Sequence, residues 1–341
     1  MVMAGGGFRF GYYLGIHAAL CELQEEPDLL LASCGGAIAA AIIQALPDDA
    51  ARKAWIASPE MHEFWRGLKS NRHASLSASL AGAVKRKFFV RGVDVIPDVF
   101  NDYLFEIPEN LPLPAAPENP KKAVAIIAGK LLFDESEVGQ ARGERKLFAE
   151  TVFCDTRTAA LLADMRSPLA DAAMGENAIS PQLITRQGVP VAEAVRASVS
   201  DMFYFRCHSY LSENYIGGVI DLFPIEVARR LSHRLIMERK GMYEGVFALP
   251  ALRAVLGIDG NQRLRHVLKQ PADMWVDTSD MRKALASPQI EKKLAWQKNK
   301  IELLAPESYA DYLKMIEAQW QYGYGKAMEG NAREPQGILG S

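Results

Sequence analysis

Three short segments place residue types side by side in ways that could do chemistry. The first is Gly5-Gly6-Gly7-Phe8-Arg9, which follows a very short apolar start. With no Cβ in the way, successive glycines let backbone N–H groups converge on one point. Such a nest at a helix N-terminus stabilises a developing oxyanion, although a tight turn or a phosphate cradle uses the same residues. The second is Ala32-Ser33-Cys34-Gly35-Gly36-Ala37-Ile38. An apolar run that turns into a helix through Ser/Cys between small residues has the character of a nucleophile elbow. A thiol at such a helix start is expected to have a lowered pKa and a useful thiolate fraction. A buried structural cysteine would sit in the same composition. The third is Ile216-Gly217-Gly218-Val219-Ile220-Asp221-Leu222-Phe223-Pro224, preceded by Ala197-Ser198-Val199-Ser200.

The elements around these segments alternate. Apolar positions recur at helical spacing from Tyr12 to Leu23, and Leu29 to Ala32 suits a buried strand. Ala37 to Leu46 is so apolar that it predicts a helix buried against a sheet. This strand–helix–strand opening predicts a parallel sheet between helices. Residues 48–92 read as helical, and 97–120 as an irregular, proline-rich connection. Core strands are expected at Ala123–Ala128 and Thr151–Cys154, a short helix at Val191–Ala197, a strand and turn at Tyr215–Asp221, and a helix over Ile225–Lys240. The remainder reads as mainly helical, ending in a polar tail that carries Gly330, Pro335 and Gly337.

Hydrophobic residues make up 49% of the 341-residue chain and charged residues 23%, the balance of an ordinary globular protein. A formal net charge of -2 gives no global field for nucleic acid, so no nucleic-acid partner is expected. Cys21, Cys34, Cys154 and Cys207 lie far apart without C-x-x-C spacing, against a zinc site or a secreted disulfide scaffold. No apolar run reaches the roughly 18 residues of a membrane span, and the start lacks a signal-peptide pattern. The expectation is a cytoplasmic protein without metal or cofactor.

In order and spacing the three segments resemble the motifs of the patatin-like phospholipase family: a G-G-G-x-R/K-G oxyanion loop, a G-x-S-x-G elbow and a D-G-G/A catalytic aspartate. The last lies in a pattern A-S-x-A-x-P…D-G-G-V-x-D-N-x-P, which Ala197-Ser198 and Gly217-Gly218-Val219-Ile220-Asp221-Leu222-Phe223-Pro224 match. The resemblance spans roughly residues 1–228, with a weaker echo near Trp275–Thr278 and Gly323–Ala327. It implies a three-layer α/β/α sandwich with a mainly parallel central sheet. It also implies a patatin-like domain at 1–228; beyond it the sequence reads as a mainly helical extension at 229–330 packed on that domain and a disordered tail at 331–341.

By resemblance, Gly5, Gly6, Gly7 and Arg9 form the oxyanion hole, although Phe10 replaces the loop's final glycine. Two positions depart more seriously. Aligning Gly36-Ala37-Ile38 with the family's G-A-I places Cys34 at the serine, while a one-residue shift makes Ser33 the nucleophile. Ile216 stands where the family has its aspartate, and it can neither accept a proton nor orient a partner. Asp221 is a weak candidate base, Glu213 lies three residues upstream of Ile216, and His17, His62, His73, His208, His233 and His266 are further candidates.

Three readings follow. A Cys34 thiolate could take an acyl group from an ester or thioester with no carboxylate partner; deacylation would then be slow and transfer favoured over hydrolysis. A degenerate relative would bind acyl chains or a protein partner without catalysis. An ordinary esterase would use Ser33 or Cys34 with a non-standard base. The partner common to these is a lipid or acyl thioester. Lys85-Arg86-Lys87-Phe88-Phe89-Val90-Arg91 suits either transient contact with an anionic membrane surface or a solvated helix end with a buried Phe pair. Nothing in the sequence sets the oligomeric state.

Overall fold

The computed structural model describes residues 1–90, 92–243, 245, 248–286 and 289–333. The chain enters at once into the core. Strand β1 (Val2–Ala4) is wholly buried and leads through the glycine triplet into helix α1 (Gly11–Glu22). Strand β2 (Leu29–Ser33) follows and turns at Cys34 into helix α2 (Gly35–Ala45). Nine of the eleven α2 residues are buried, as expected for a helix whose one polar side chain is Gln44. Helices α3 (Asp49–Ile56), α4 (Pro59–Gly67) and α5 (Leu76–Phe89) come next, each opened by a side-chain cap from Asp48, Ser58 or Ser75. Strand β3 (Lys69–Ser70) pairs antiparallel with β4 (Phe105–Glu106), which lies in the proline-rich connection.

The central sheet is completed by β5 (Ala123–Leu131), β6 (Phe148–Phe153), β7 (Ile184–Arg186), β8 (His208–Tyr210) and β9 (Glu213–Ile216). Helices α6 (Thr156–Leu161) and α7 (Val191–Ser198) lie between them. The order is β1-β2-β5-β6-β7, with β9 also on β5 and β8 on β9. Pairing is parallel across β1, β2 and β5, where helical crossovers join the strands, and antiparallel where β6 and β9 meet β5. The result is a mixed seven-stranded sheet with a parallel core between helical layers, the architecture that the three motifs imply.

One expected element, the helix over Ile225–Lys240, breaks up. Helix α8 (Ile225–Leu231) stops at Ser232, and Ile236–Arg239 forms strand β10, not the end of one long helix. Apolar residues from Ile225 to Ile236 continue a helical period across the break, but buried Ile236, Met237 and Glu238 find a parallel partner in β11 (Met274–Asp277). Helices α9 (Ala248–Val255) and α10 (Gly260–Leu268) lie between β10 and β11. After α11 (Met281–Ala284), strands β12 (Glu291–Ala295) and β13 (Lys300–Leu304) make an antiparallel hairpin. Residues 229–330 are therefore less uniformly helical than expected.

The long closing helix α12 (Tyr309–Arg333) lies along α1. A Cβ at Gly15 would overlap the Trp320 carbonyl, and one at Gly323 the Tyr12 carbonyl, so glycines permit backbone contact between the two helices. Residues 331–333 extend this helix, and the rest of the expected tail, 334–341, lies outside the described residues. Phe88 is 60% exposed, so it is no member of a buried pair. Among the described residues no helix is long and apolar enough to cross a membrane.

Candidate active site

The site forms where β1 and β2 end. Cys34 joins β2 to α2 with φ 50° and ψ -124°, a left-handed turn that non-glycine residues adopt only under constraint. The constraint is visible. The Cys34 N–H donates to Ser198 Oγ at 2.9 Å, and Ser198 Oγ donates to the Ile127 carbonyl of β5 at 2.6 Å. Ser198 of the Ala197-Ser198 motif thus clamps the elbow to the central strand. Two glycines allow close approach: a Cβ on Gly36 would overlap the Met3 carbonyl, and one on Gly35 would lie 2.5 Å from the Gly7 carbonyl. This strand–sharp turn–helix unit matches a nucleophile elbow with Cys34 at its apex.

Cys34 has a carboxylate partner that the sequence reading missed. Its Sγ donates to Asp201 Oδ1 at 2.9 Å. Asp201 lies in the loop after α7, at a variable position of the A-S-x-A-x-P pattern, one residue past Ser200. Its carboxylate fills the space beside Gly217, where a Cβ would overlap Oδ1. Ile216, at the family's aspartate position, is fully buried and packs against Gly129. The carboxylate beside Cys34 thus comes from the loop after α7 and not from the turn that follows β9. The backbone of Gly218 favours the charged form of Cys34, and that of Val219 the charged form of Asp201.

The electrostatics overturn one expectation. The Cys34 thiol is pushed well above its ordinary pKa by burial first and the Asp201 charge second, with Lys240 and the Gly218 N–H opposing. Asp201 is raised to about 7 by desolvation, against the stabilising bonds from Cys34 and Val219. A helix dipole is worth about 0.3–1 kcal/mol, less than one pKa unit, whereas burial shifts a group by up to roughly 3–5 units. Burial wins. Near neutral pH the pair holds a thiol and a carboxylate, not a free thiolate.

A cavity of about 500 Å³ opens over this pair. Gly6, Gly7 and Arg9 line it, as do apolar side chains including Phe8, Ile38, Trp65 and Phe205. Gly5 serves the loop differently: its N–H donates to the Ser33 carbonyl at 3.1 Å, tying the glycine turn to β2. Gly5, Gly6 and Gly7 all have positive φ (47°, 149° and 54°), conformations open to glycine. Arg9 faces Glu291 across 3.9 Å at the rim.

The other candidates are engaged elsewhere. Ser33 is fully buried and its Oγ donates to the Asp221 carbonyl at 3.0 Å, outside the cavity lining. Asp221 is paired with Arg263 at 2.8 Å, outside the cavity lining, and burial pushes its pKa up against the pull of Arg263. Glu213 binds Arg186 and Lys130 and is lowered to about 2, chiefly by Arg186. His17 is buried beside Arg52, and His208 contacts Glu193 at 2.8 Å; neither lines the cavity. His17, Cys21 and Glu26 bring donor atoms within 4.8 Å of one another, but Arg52 and Lys122 already engage two of the three.

Beside Asp221 lies a strained carboxyl. Glu150 of β6 is fully buried; Ser167 donates to Oε2, Oε1 has no hydrogen-bond partner among the described residues, and burial with the nearby Asp221 charge raises its pKa to about 8. In the unfolded chain this group ionises near 4.5. The folded state therefore binds the extra proton between those values, and stability falls as pH climbs through that window. Glu150→Gln, of similar shape and uncharged, should raise the thermal midpoint by a few degrees above about pH 8 and leave it nearly unchanged below about pH 4.5. Calorimetry of both proteins across that range checks it.

No curated relative matches the chain. Among solved structures the chain is similar to VipD from Legionella pneumophila, at 11% identity and a TM-score of 0.39, over 98% of this chain and 66% of that one. A family model described as patatin-like phospholipase matches residues 1–229 and so covers the glycine loop, the elbow and the Gly217-Gly218 turn. With two thirds of its length matched, the chain belongs to the patatin-like phospholipase family.

Proposed function

We propose that this protein hydrolyses acyl esters or thioesters of lipids through a thioester on Cys34, with Asp201 as general base. The observation that carries the reading is the 2.9 Å contact between the Cys34 sulfur and Asp201 Oδ1 at the floor of the cavity. Asp201 takes the thiol proton as sulfur attacks the acyl carbonyl, and the new oxyanion forms beside the N–H groups of Gly6 and Gly7. Collapse breaks the bond to the leaving group, which departs with the proton from Asp201. Water then enters, gives its proton to Asp201 and attacks the thioester. The fatty acid leaves, and the proton returns to the sulfur.

A base near pKa 7 suits this work, because its charged form is abundant at neutral pH and still accepts a proton. Its presence removes the reason for expecting slow deacylation and transfer: the same carboxylate that deprotonates the thiol can activate water. It also weighs against a degenerate binding protein, a reading that rested on the missing aspartate at Ile216. The apolar lining from Phe8, Ile38, Trp65 and Phe205 fits an acyl chain.

The test is acyl capture. Mixed with an activated nitrophenyl ester and quenched in acid, the protein should gain one acyl mass, mapped to the peptide that holds Cys34, and Cys34→Ala should show neither adduct nor turnover. Turnover that survives in Cys34→Ala would defeat the proposal.

A further inference from the structure

We infer that helix α5 and the β12–β13 hairpin together form a docking face for a membrane that carries anionic lipids, set beside the cavity mouth. On α5, Ser77, Ala81, Val84 and Phe88 are all exposed at the spacing of one helical face. Val84 is 53% and Phe88 60% exposed, and Lys85 and Lys87 flank them. This is the make-up of a helix lying in a lipid interface, with an apolar stripe between basic side chains. The opposite side of α5 is seated: Ala83 is buried, and Arg86 stacks over Phe203, 4.2 Å from the ring centroid, while pairing with Asp102 at 3.8 Å.

The hairpin adds a second anchor. Trp296, just past β12 in the turn, is 68% exposed, and Leu294 beside it is 42% exposed. Tryptophan is the side chain that prefers the boundary between headgroups and acyl chains. The turn is bound to the start of α5: Leu76 N–H donates to the Asn299 carbonyl at 2.8 Å and Ser77 N–H to Asn299 Oδ1 at 3.0 Å. The other end of the hairpin reaches the cleft, where Ile290, Glu291 and Lys292 line the cavity and Lys292 donates to Tyr204. One connected surface thus runs from the mouth of the site to two exposed aromatic anchors.

Charge selects the partner. Across 76–89 and 291–304, six lysines, leaving aside the seated Arg86, stand against only Glu291 and Glu302. Glu291 faces Arg9, and Glu302 pairs with Lys298. The surplus favours a negatively charged bilayer over a neutral one. Helix α5 lies within the matched residues 1–229 and the hairpin outside them, so the face joins the family domain to this chain's extension.

The inference rests on the reading that the cavity receives lipid, but its test does not depend on catalysis. Cys34→Ala protein should sediment with vesicles of phosphatidylcholine and phosphatidylserine, and far less with phosphatidylcholine alone. Adding Phe88→Ser and Trp296→Ser should weaken binding by roughly tenfold or more, as should Lys85→Gln with Lys87→Gln. All four side chains are exposed, so folding is preserved, and circular dichroism checks it. Absence of vesicle binding, equal binding to neutral vesicles, or unchanged binding by the substituted proteins overturns the inference. If acyl capture fails while vesicle binding persists, the chemistry is wrong and the docking face stands.

Discussion

Asp201→Asn should slow acylation of Cys34 by roughly 10²–10⁴-fold, the usual contribution of a positioned general base. Asparagine keeps the volume beside Gly217 and can still accept a hydrogen bond from the thiol through its carbonyl oxygen, so the loop after α7 need not move. What it loses is the capacity to take the proton. The pH dependence gives an independent reading. Asp201 is raised to about 7, and its charged form is the active one. The wild-type rate should therefore fall about tenfold per pH unit below that value and level off above it, until the thiol itself ionises. The Asp201→Asn protein should lack the inflection near 7.

Stability should move the other way. A carboxylate that ionises near 3.8 when unfolded and near 7 when folded costs stability as pH rises between those values, and the amide carries no such cost. Loss of rate with equal or greater stability above pH ~7 would separate a catalytic role from a structural one. Burst release of nitrophenolate in single turnover measures the first, and urea titration the second. Wild-type acylation in the Asp201→Asn protein would remove Asp201 from the mechanism.

Asp201 also shows why a motif can be read correctly and its chemistry misjudged. The elbow was legible because strand-to-helix turns of this kind need small residues at fixed spacing: Gly35 must clear the Gly7 carbonyl and Gly36 the Met3 carbonyl. Local sterics write such rules into the sequence. A carboxylate at hydrogen-bonding distance from sulfur carries no such local mark. It can come from either of two chain segments that face each other, and here Gly217 leaves space for a side chain arriving from position 201. Spacing within one segment finds only the first solution. The thiol's acidity was misjudged for a related reason: the helix N-terminus is visible in sequence, while the closure of Phe8, Val199 and Phe205 over the sulfur is a product of the fold.

The same contrast separates the two halves of the chain. Helices α1 and α2 and strands β2 and β5 are buried on most sides, so uninterrupted apolar runs identify them. Between residue 224 and α12 the elements are short, and β10 owes its existence to a partner, β11, that arrives only after two intervening helices. That late strand also supports the site. Glu238 of β10, almost fully buried, accepts from Tyr12 and Tyr13 beneath Gly6, and Lys240 donates to the Ala4 carbonyl. The extension beyond the matched residues therefore braces the glycine loop from below.

The tightest coupling between elbow and loop gives the second large effect. Gly35→Ala should lower acylation by about 10²-fold, although alanine is the better helix former by about 1 kcal/mol. Gly35 has an ordinary helical backbone, so the substitution brings no strain of its own. Its new Cβ would stand 2.5 Å from the Gly7 carbonyl oxygen and 3.2 Å from the Gly7 nitrogen. One of the two backbones must then yield. Helix α2 is held by its burial on most sides, whereas the glycine loop ends in a single turn of 3-10 helix at Gly7–Arg9 and is the softer partner. Gly7 should move, and a shift near 1 Å at an oxyanion donor carries a penalty of that size. The signature is a fall in kcat with little change in KM, because the acyl pocket formed by Phe205, Trp65 and Ile38 is left in place. An equal rise in KM alone would instead place Gly7 in ground-state binding, and an unaltered rate would show that the loop contributes nothing to the oxyanion.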